Sequence, residues 1–123
     1  MVDAANVVGS RPDGWWRDRA GAARRLHDGL TAQDWGEDEV VLVVEGQAKG
    51  GLSPGWDGRV RTVHADRSGD DAIVDEVVRQ VAGHAALGEE REVVVVTADR
   101  ELRDRVEAVG ATTRSPRWLL DRL

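Results

Sequence analysis

Two uninterrupted valine-rich runs constrain this chain more than any other feature. Val40-Val41-Leu42-Val43-Val44 and Val93-Val94-Val95-Val96-Thr97 contain no polar alternation. A strand with one face in water alternates apolar and polar residues, whereas a strand with no polar position needs cover on both faces. Such strands belong inside a parallel sheet with helices packed above and below. Weaker runs join them: Asp3-Ala4-Ala5-Asn6-Val7-Val8 at the start, Arg59-Val60-Arg61-Thr62-Val63 in the middle, and a short final strand over Ala111-Thr112-Thr113.

Helical patterns fill the intervals. Asp13 is placed to cap a helix carrying Trp16, Ala20, Ala23, Leu26 and Leu30 on one stripe. Ser68 or Asp70 opens a second, with Ile73, Val74, Val77, Val78 and Val81 turned inward. A third runs from about Asp99 through Leu102, Val106 and Val109, stopped by Gly110. Ser115 as cap and Pro116 at the first helical position start a last short helix. This order of elements with short crossovers predicts an α/β fold around a mostly parallel sheet, in a single domain over residues 1–123. Gly46 to Gly58 reads as the one long flexible loop.

Composition narrows the chemistry. With no Cys among 123 residues, disulfides, thiolate zinc sites and Cys nucleophiles are excluded together. No apolar run approaches the roughly 20 residues of a membrane-spanning helix. The opening Met1-Val2-Asp3 lacks the basic start of a secretory signal, so a soluble, cytoplasmic protein is expected. The net charge of −6 argues against a basic nucleic-acid-coating protein. It is compatible with a nucleic-acid enzyme whose acidic residues hold metal ions.

Carboxylates fall where a parallel sheet binds ligands, at the carboxyl ends of its strands. Asp3 lies in the first run, with Asn6 three residues on. Glu45 follows the second run, Asp70 and Asp71 start the helix after the third, and Asp99 follows the fourth. Asp70, Asp71 and Asp99 each have an ordinary alternative, because Asp at a helix N-terminus caps it and complements its dipole. Asp3 is harder to explain so, since a charge inside an apolar strand is costly without a partner. Clustered carboxylates with no Cys or His cluster beside them suit Mg²⁺ or Mn²⁺ rather than zinc.

These residues resemble a known family. Asp3-Ala4-Ala5-Asn6-Val7-Val8-Gly9 is similar to the opening motif of NYN domains, particularly the YacP-like branch of the PIN-like nucleases. Ser68-Gly69-Asp70-Asp71-Ala72-Ile73 resembles the second acidic motif of that family. Val95-Val96-Thr97-Ala98-Asp99-Arg100-Glu101-Leu102 resembles its third, and Val43-Val44-Glu45-Gly46 with Lys49-Gly50-Gly51 resembles its second strand and following loop. The four matches occur in family order. The resemblance implies a Rossmann-like α/β/α sandwich and a divalent-metal-dependent endoribonuclease acting on RNA. It assigns Asp3, Asp70 and Asp99 as metal-holding carboxylates and Asn6 as the group that orients Asp3 or the scissile phosphate. Thr97, Glu45 and Asp71 are auxiliary, Glu45 standing where relatives often carry Asp. The Tyr that relatives commonly carry beside the first Asn is Ala5 here. A small nucleotide phosphohydrolase using the same carboxylates, or a non-catalytic RNA- or protein-binding domain of the same fold, are the alternatives.

Other signals carry less. Gly51-Leu52-Ser53-Pro54-Gly55 matches a nucleophile elbow on paper, but Pro54 has no N–H to offer an oxyanion. His27, His64 and His84 lack metal-ligand spacing. Trp15-Trp16 reads as half core and half rim, with docking of a base or partner as the competing reading. Residues 11–28 hold five Arg, whereas residues 29–58 carry six acids and one Lys. That asymmetry makes Arg17, Arg24, Arg25 and Lys49 the expected RNA contacts, with ordinary solubilising charge as the competing explanation.

Overall fold

The computed structural model describes all of residues 1–123. Its elements run β1 (Val2–Asp3), α1 (Ala4–Gly9), a 3₁₀ turn (Trp15–Arg17), α2 (Arg19–Ala32) and β2 (Val40–Val44). A second 3₁₀ turn (Gly46–Gly51) leads to β3 (Gly55–Asp57), β4 (Val60–His64) and α3 (Gly69–Ala86). The chain ends with β5 (Val94–Val96), α4 (Arg100–Ala108), β6 (Thr112–Arg114) and α5 (Pro116–Leu120). The six strands form one sheet in the order β3-β4-β2-β1-β5-β6, all parallel except β3, which pairs antiparallel with β4.

Strand β2 shows why its run has no polar residue. Val40, Leu42 and Val44 face a core shared with Val7 of α1, Ala23, Leu26 and Leu30 of α2 and Leu119 of α5. Val41 and Val43 face the opposite core, against Ile73 and Val77 of α3 and Leu102 and Val106 of α4. All five are buried. Two apolar layers therefore clamp one sheet, the α/β/α arrangement expected of a PIN-like fold. No helix is long and apolar enough to cross a membrane.

Several boundaries differ from those expected. The opening run is a strand only at Val2–Asp3; Ala4–Gly9 is helical. Ala4 and Val7 are buried and Ala5 is exposed, a helical spacing too short to stand out in six residues. The cap of α2 is Asp18, which accepts a hydrogen bond from Gly21 N–H at 2.9 Å, and not Asp13. Gly14, at φ +77°, and the 3₁₀ turn displace the helix start. On α3, Ile73 and Val77 are buried, but Val78 lies off that face, 46% exposed. The segment Gly46 to Gly58 is ordered into a 3₁₀ turn and an edge strand.

The 3₁₀ turn is held by close approach. A Cβ on Gly51 would lie 2.1 Å from the Ala20 carbonyl oxygen, and Arg24 Nε donates to the Gly51 carbonyl at 3.2 Å. Only glycine admits α2 at this distance.

Candidate active site

From β1 the chain builds outward through β2 to β4, then crosses over to β5 and β6 on the other side of β1. Strand order thus reverses at β1, and the crevice between the carboxyl ends of β1 and β5 is the switch point where such sheets bind ligands. Asp3 ends β1, and Thr97 and Asp99 follow β5.

A closed ring of hydrogen bonds ties these residues together. Thr97 Oγ1 donates to Asp3 Oδ2 at 3.0 Å and accepts from Asp99 N–H at 3.2 Å. Asn6 N–H donates to Asp3 Oδ1 at 3.4 Å, and Asn6 Oδ1 accepts from Ala98 N–H at 2.8 Å. Asp3 is thereby the last residue of a central strand and the N-cap of α1. Asn6 joins α1 to the β5–α4 junction, and Asp99 caps α4 by accepting from Leu102 N–H at 3.1 Å. Glu45, just past β2, accepts from Gly69 N–H at 2.8 Å and so satisfies one of the unpaired donors at the start of α3.

Asp70 is different. Ser68 is the cap of α3, accepting from Asp71 N–H, so Asp70 is not needed to cap the helix. Its side chain accepts no hydrogen bond within the protein. Desolvation raises its pKa, and the charges of Asp99 and Glu45 raise it further. Asp3, only 5% exposed, is pushed up to about 6. Burial is the main cause, opposed by the Thr97 and Asn6 hydrogen bonds and reinforced by the charges of Asp70 and Glu45. Four carboxylates from four separated segments therefore act on one another at the same edge of the sheet.

The remaining expected site residues divide. Asp71 is engaged by Arg105 Nη2 at 2.9 Å, which holds its carboxyl below the ordinary range. Arg24 is committed to the Gly51 carbonyl, and Arg25 lines a separate small cleft with Arg11 and Asp13. Arg17 lies over the Trp16 ring, 5.9 Å from its centroid. Lys49 is half-buried on the 3₁₀ turn. His64 Nε2, at the end of β4, meets the Leu52 carbonyl at 2.7 Å.

The sequence reading missed Arg19 and Arg67. Both line a cavity of about 580 Å³ that Glu45 borders, together with Trp15, Trp16 and Ala5. The available signal was positional: Arg67 lies between β4 and Ser68, at the same carboxyl edge as Asp70, and Arg19 follows Trp15 by four residues.

Known structures carry the same architecture. Two crystal structures of Rae1 (YacP) from Bacillus subtilis, one of them a single-substitution mutant, superpose with a TM-score of 0.73. Each match covers 98% of this chain and 70% of the other, at 21% identity for one and 20% for the mutant. The chain has a YacP-like NYN fold. No family model matches the sequence, and no curated protein matches it either. At this identity the YacP likeness shows the fold alone.

The carboxylate edge supplies oxygen donors alone, the set a hard divalent cation takes. In this geometry no three of the side chains are arranged to hold one ion. Asp3 and Asp99 are fixed by their hydrogen bonds, whereas Asp70 is partly exposed and free of such bonds, so it is the group able to rotate toward the others. The donor chemistry fits Mg²⁺ or Mn²⁺.

Proposed function

We propose that this chain is a divalent-metal-dependent endoribonuclease that hydrolyses RNA phosphodiester bonds at the Asp3–Asp70–Asp99 edge. The observation that carries the reading is the convergence of those carboxylates, with Glu45, at the switch point of a YacP-like sheet, although Asp70 has no capping duty to explain its position. Asp3, Asp70 and Asp99 would hold the ion, Mg²⁺ or Mn²⁺. Bound there, it would offset the carboxylate repulsion and act as a Lewis acid toward the phosphoryl oxygens. Thr97 fixes the rotamer of Asp3 and the backbone of Asp99 with one hydroxyl. Asn6 positions Asp3 through its backbone N–H and sets the spacing between β1 and the start of α4 through its side chain. Arg67 and Arg19, on the cavity that Glu45 borders, supply positive charge for a phosphate backbone to meet.

The test is incubation of purified protein with single-stranded RNA, structured RNA and nucleoside triphosphates, each with Mn²⁺, Mg²⁺ or EDTA. Endonucleolytic RNA products that require the metal and vanish in Asp70→Asn support the reading. Release of phosphate from the free nucleotides with RNA left intact replaces it by a nucleotide phosphohydrolase. RNA binding without any cleavage replaces it by a binding domain.

A further inference from the structure

The cavity that Glu45 borders has an aromatic lining that the cleavage chemistry does not use. Its volume, about 580 Å³, lies within the range of small-molecule sites. Glu45 forms part of its wall, and Ala4 and Ala5, in the first turn of the helix that Asp3 caps, form another part. Ala5 is exposed and its methyl group leaves this side of the cavity open. The opposite side is aromatic. Trp15 and Trp16 stand perpendicular, 6.0 Å apart and at 89°, so the pair presents both a ring face and a ring edge.

Each ring is held for a reason. Trp15 packs over Gly9, where even a Cβ would lie 3.7 Å from the indole. Trp16 is 55% exposed, one of only four large hydrophobic side chains left in water. Arg17, itself exposed, lies over one face of the Trp16 ring, so a planar ligand stacked there takes the other face or displaces that guanidinium. Arg19, on the cavity lining, lies 5.1 Å from the Trp15 centroid, and Arg17, outside the lining, lies over the Trp16 ring at 5.9 Å from its centroid. Arg67 adds a second positive charge to the lining.

We infer that this cavity takes one unpaired nucleobase of the RNA strand, stacked on Trp16, with its flanking phosphate at Arg19 and Arg67. The inference rests on the RNA-cleavage reading for its ligand and names the position next to the cleaved bond. An aromatic platform beside arginines is the means by which single strands are held without duplex geometry. A base inside a helix is stacked and cannot enter, so the cavity selects single-stranded or bulged RNA. Gln47, an amide on the cavity lining, is the group able to hydrogen-bond a base edge.

Binding is measured in EDTA, so that cleavage plays no part, by anisotropy of a labelled short single-stranded RNA and of the matching duplex. Wild type should favour the single strand. Trp16→Ala should weaken single-strand binding by roughly 5- to 150-fold, the range for losing one base–aromatic stack. Trp16→Phe should recover most of it. An oligonucleotide with an abasic residue at the sensitive position should lose the same factor against wild type and nothing further against Trp16→Ala. Arg67→Ala should weaken binding and flatten its salt dependence, a second readout in case Trp16→Ala does not fold. Unchanged affinity in both Trp16→Ala and Arg67→Ala overturns the inference, and so does a wild type that binds no RNA or binds duplex better. Trp16-dependent binding of RNA that is never cut with Mn²⁺ leaves the cavity standing and removes the nuclease reading. Cleavage that is indifferent to Trp16 and Arg67 does the reverse.

Discussion

Asp3 does two structural jobs with one carboxylate, and they act on its ionised form in opposite directions. It terminates the central strand, where burial penalises charge, and it caps α1 through Asn6 N–H; that bond and the one from Thr97 Oγ1 recover only part of the penalty. With its pKa at about 6, against an ordinary 3.8, the folded state binds more protons than the unfolded chain between those values. Stability therefore falls as pH rises through that window, and above it the ionised residue costs up to about 3 kcal/mol. Asn keeps the size and capping ability of Asp without the charge. Asp3→Asn is accordingly expected to melt higher than wild type at pH 7.5, with the difference closing near pH 4 and activity lost at every pH. Circular dichroism melts across that range decide it, and an Asn variant that is less stable throughout would mean the carboxylate bonds outweigh burial. Asp70 and Asp99 separate by the same logic. Asp70→Asn should abolish RNA cleavage with melting unchanged or raised, because Ser68 keeps the cap. Asp99→Asn should also lose cleavage while holding stability, whereas Asp99→Ala should lose about 0.5–2 kcal/mol through the cap as well. Equal melting losses in all three variants would assign these residues to structure alone. The acidic residues of the candidate site were legible as positions in the sequence because a charge at a strand end is conspicuous. Arg19 and Arg67 were not, since nothing local marks a surface arginine as lying beside a distant glutamate.

At the scale of elements, legibility followed the strength of the periodic signal. Strand β2 was readable to its last residue because five consecutive buried positions admit no other reading. Helix α4 was readable from its cap to Gly110, whose φ of +104° suits the residue after a helix end. Helix α1 was not, because six residues hold less than two helical turns and share their apolar positions with a strand pattern. Edge strand β3 escaped because its order comes from pairing with β4, a contact no local pattern in Gly55–Asp57 announces. The 3₁₀ turn Gly46–Gly51 likewise owes its shape to α2 lying against it. That packing makes a direct prediction. Gly51→Ala places a methyl group on the Ala20 backbone, which cannot yield as a side chain would. A loss of about 1–3 kcal/mol or more is expected from such overpacking. Gly50→Ala, with no atom within 4 Å of the new Cβ, should change little. Urea denaturation of the pair tests whether this turn is a fixed wall of the cavity. Equal stability for both variants would show it to be a yielding loop.

For the whole molecule the question is how a chain of net charge −6 keeps several more acids at one edge of its sheet. The fold supplies the arrangement: β1 at the switch point carries Asp3, Glu45 follows the end of β2, and the crossover helices α3 and α4 bring Asp70 and Asp99 to the same end. Each lies on a different segment, and their mutual repulsion adds to the burial that raises the pKa of Asp70 and of Asp3. A cation that binds only the folded chain relieves it and must stabilise the fold by mass action, by about 2.7 kcal/mol at one hundred times its Kd. For a domain of this size that corresponds to a rise in Tm on the order of 10 °C. Wild type is therefore expected to melt progressively higher as Mn²⁺ is raised into the millimolar range, and EDTA should reverse the gain. Asp70→Asn should start at or above the wild-type Tm without metal and gain much less from Mn²⁺. Gly51→Ala, destabilised at a point that holds no ligand, should start lower and keep the full metal-induced rise. Proton competition adds a sign. Metal ligands bind as carboxylates, and Asp3 takes up its proton as pH falls through about 6, so the Mn²⁺ gain should be smaller at pH 5 than at pH 7.5. A wild-type Tm indifferent to Mn²⁺ at pH 7.5, or a gain equal in wild type and Asp70→Asn, would detach the metal from this edge and leave the carboxylates as caps and strand ends only.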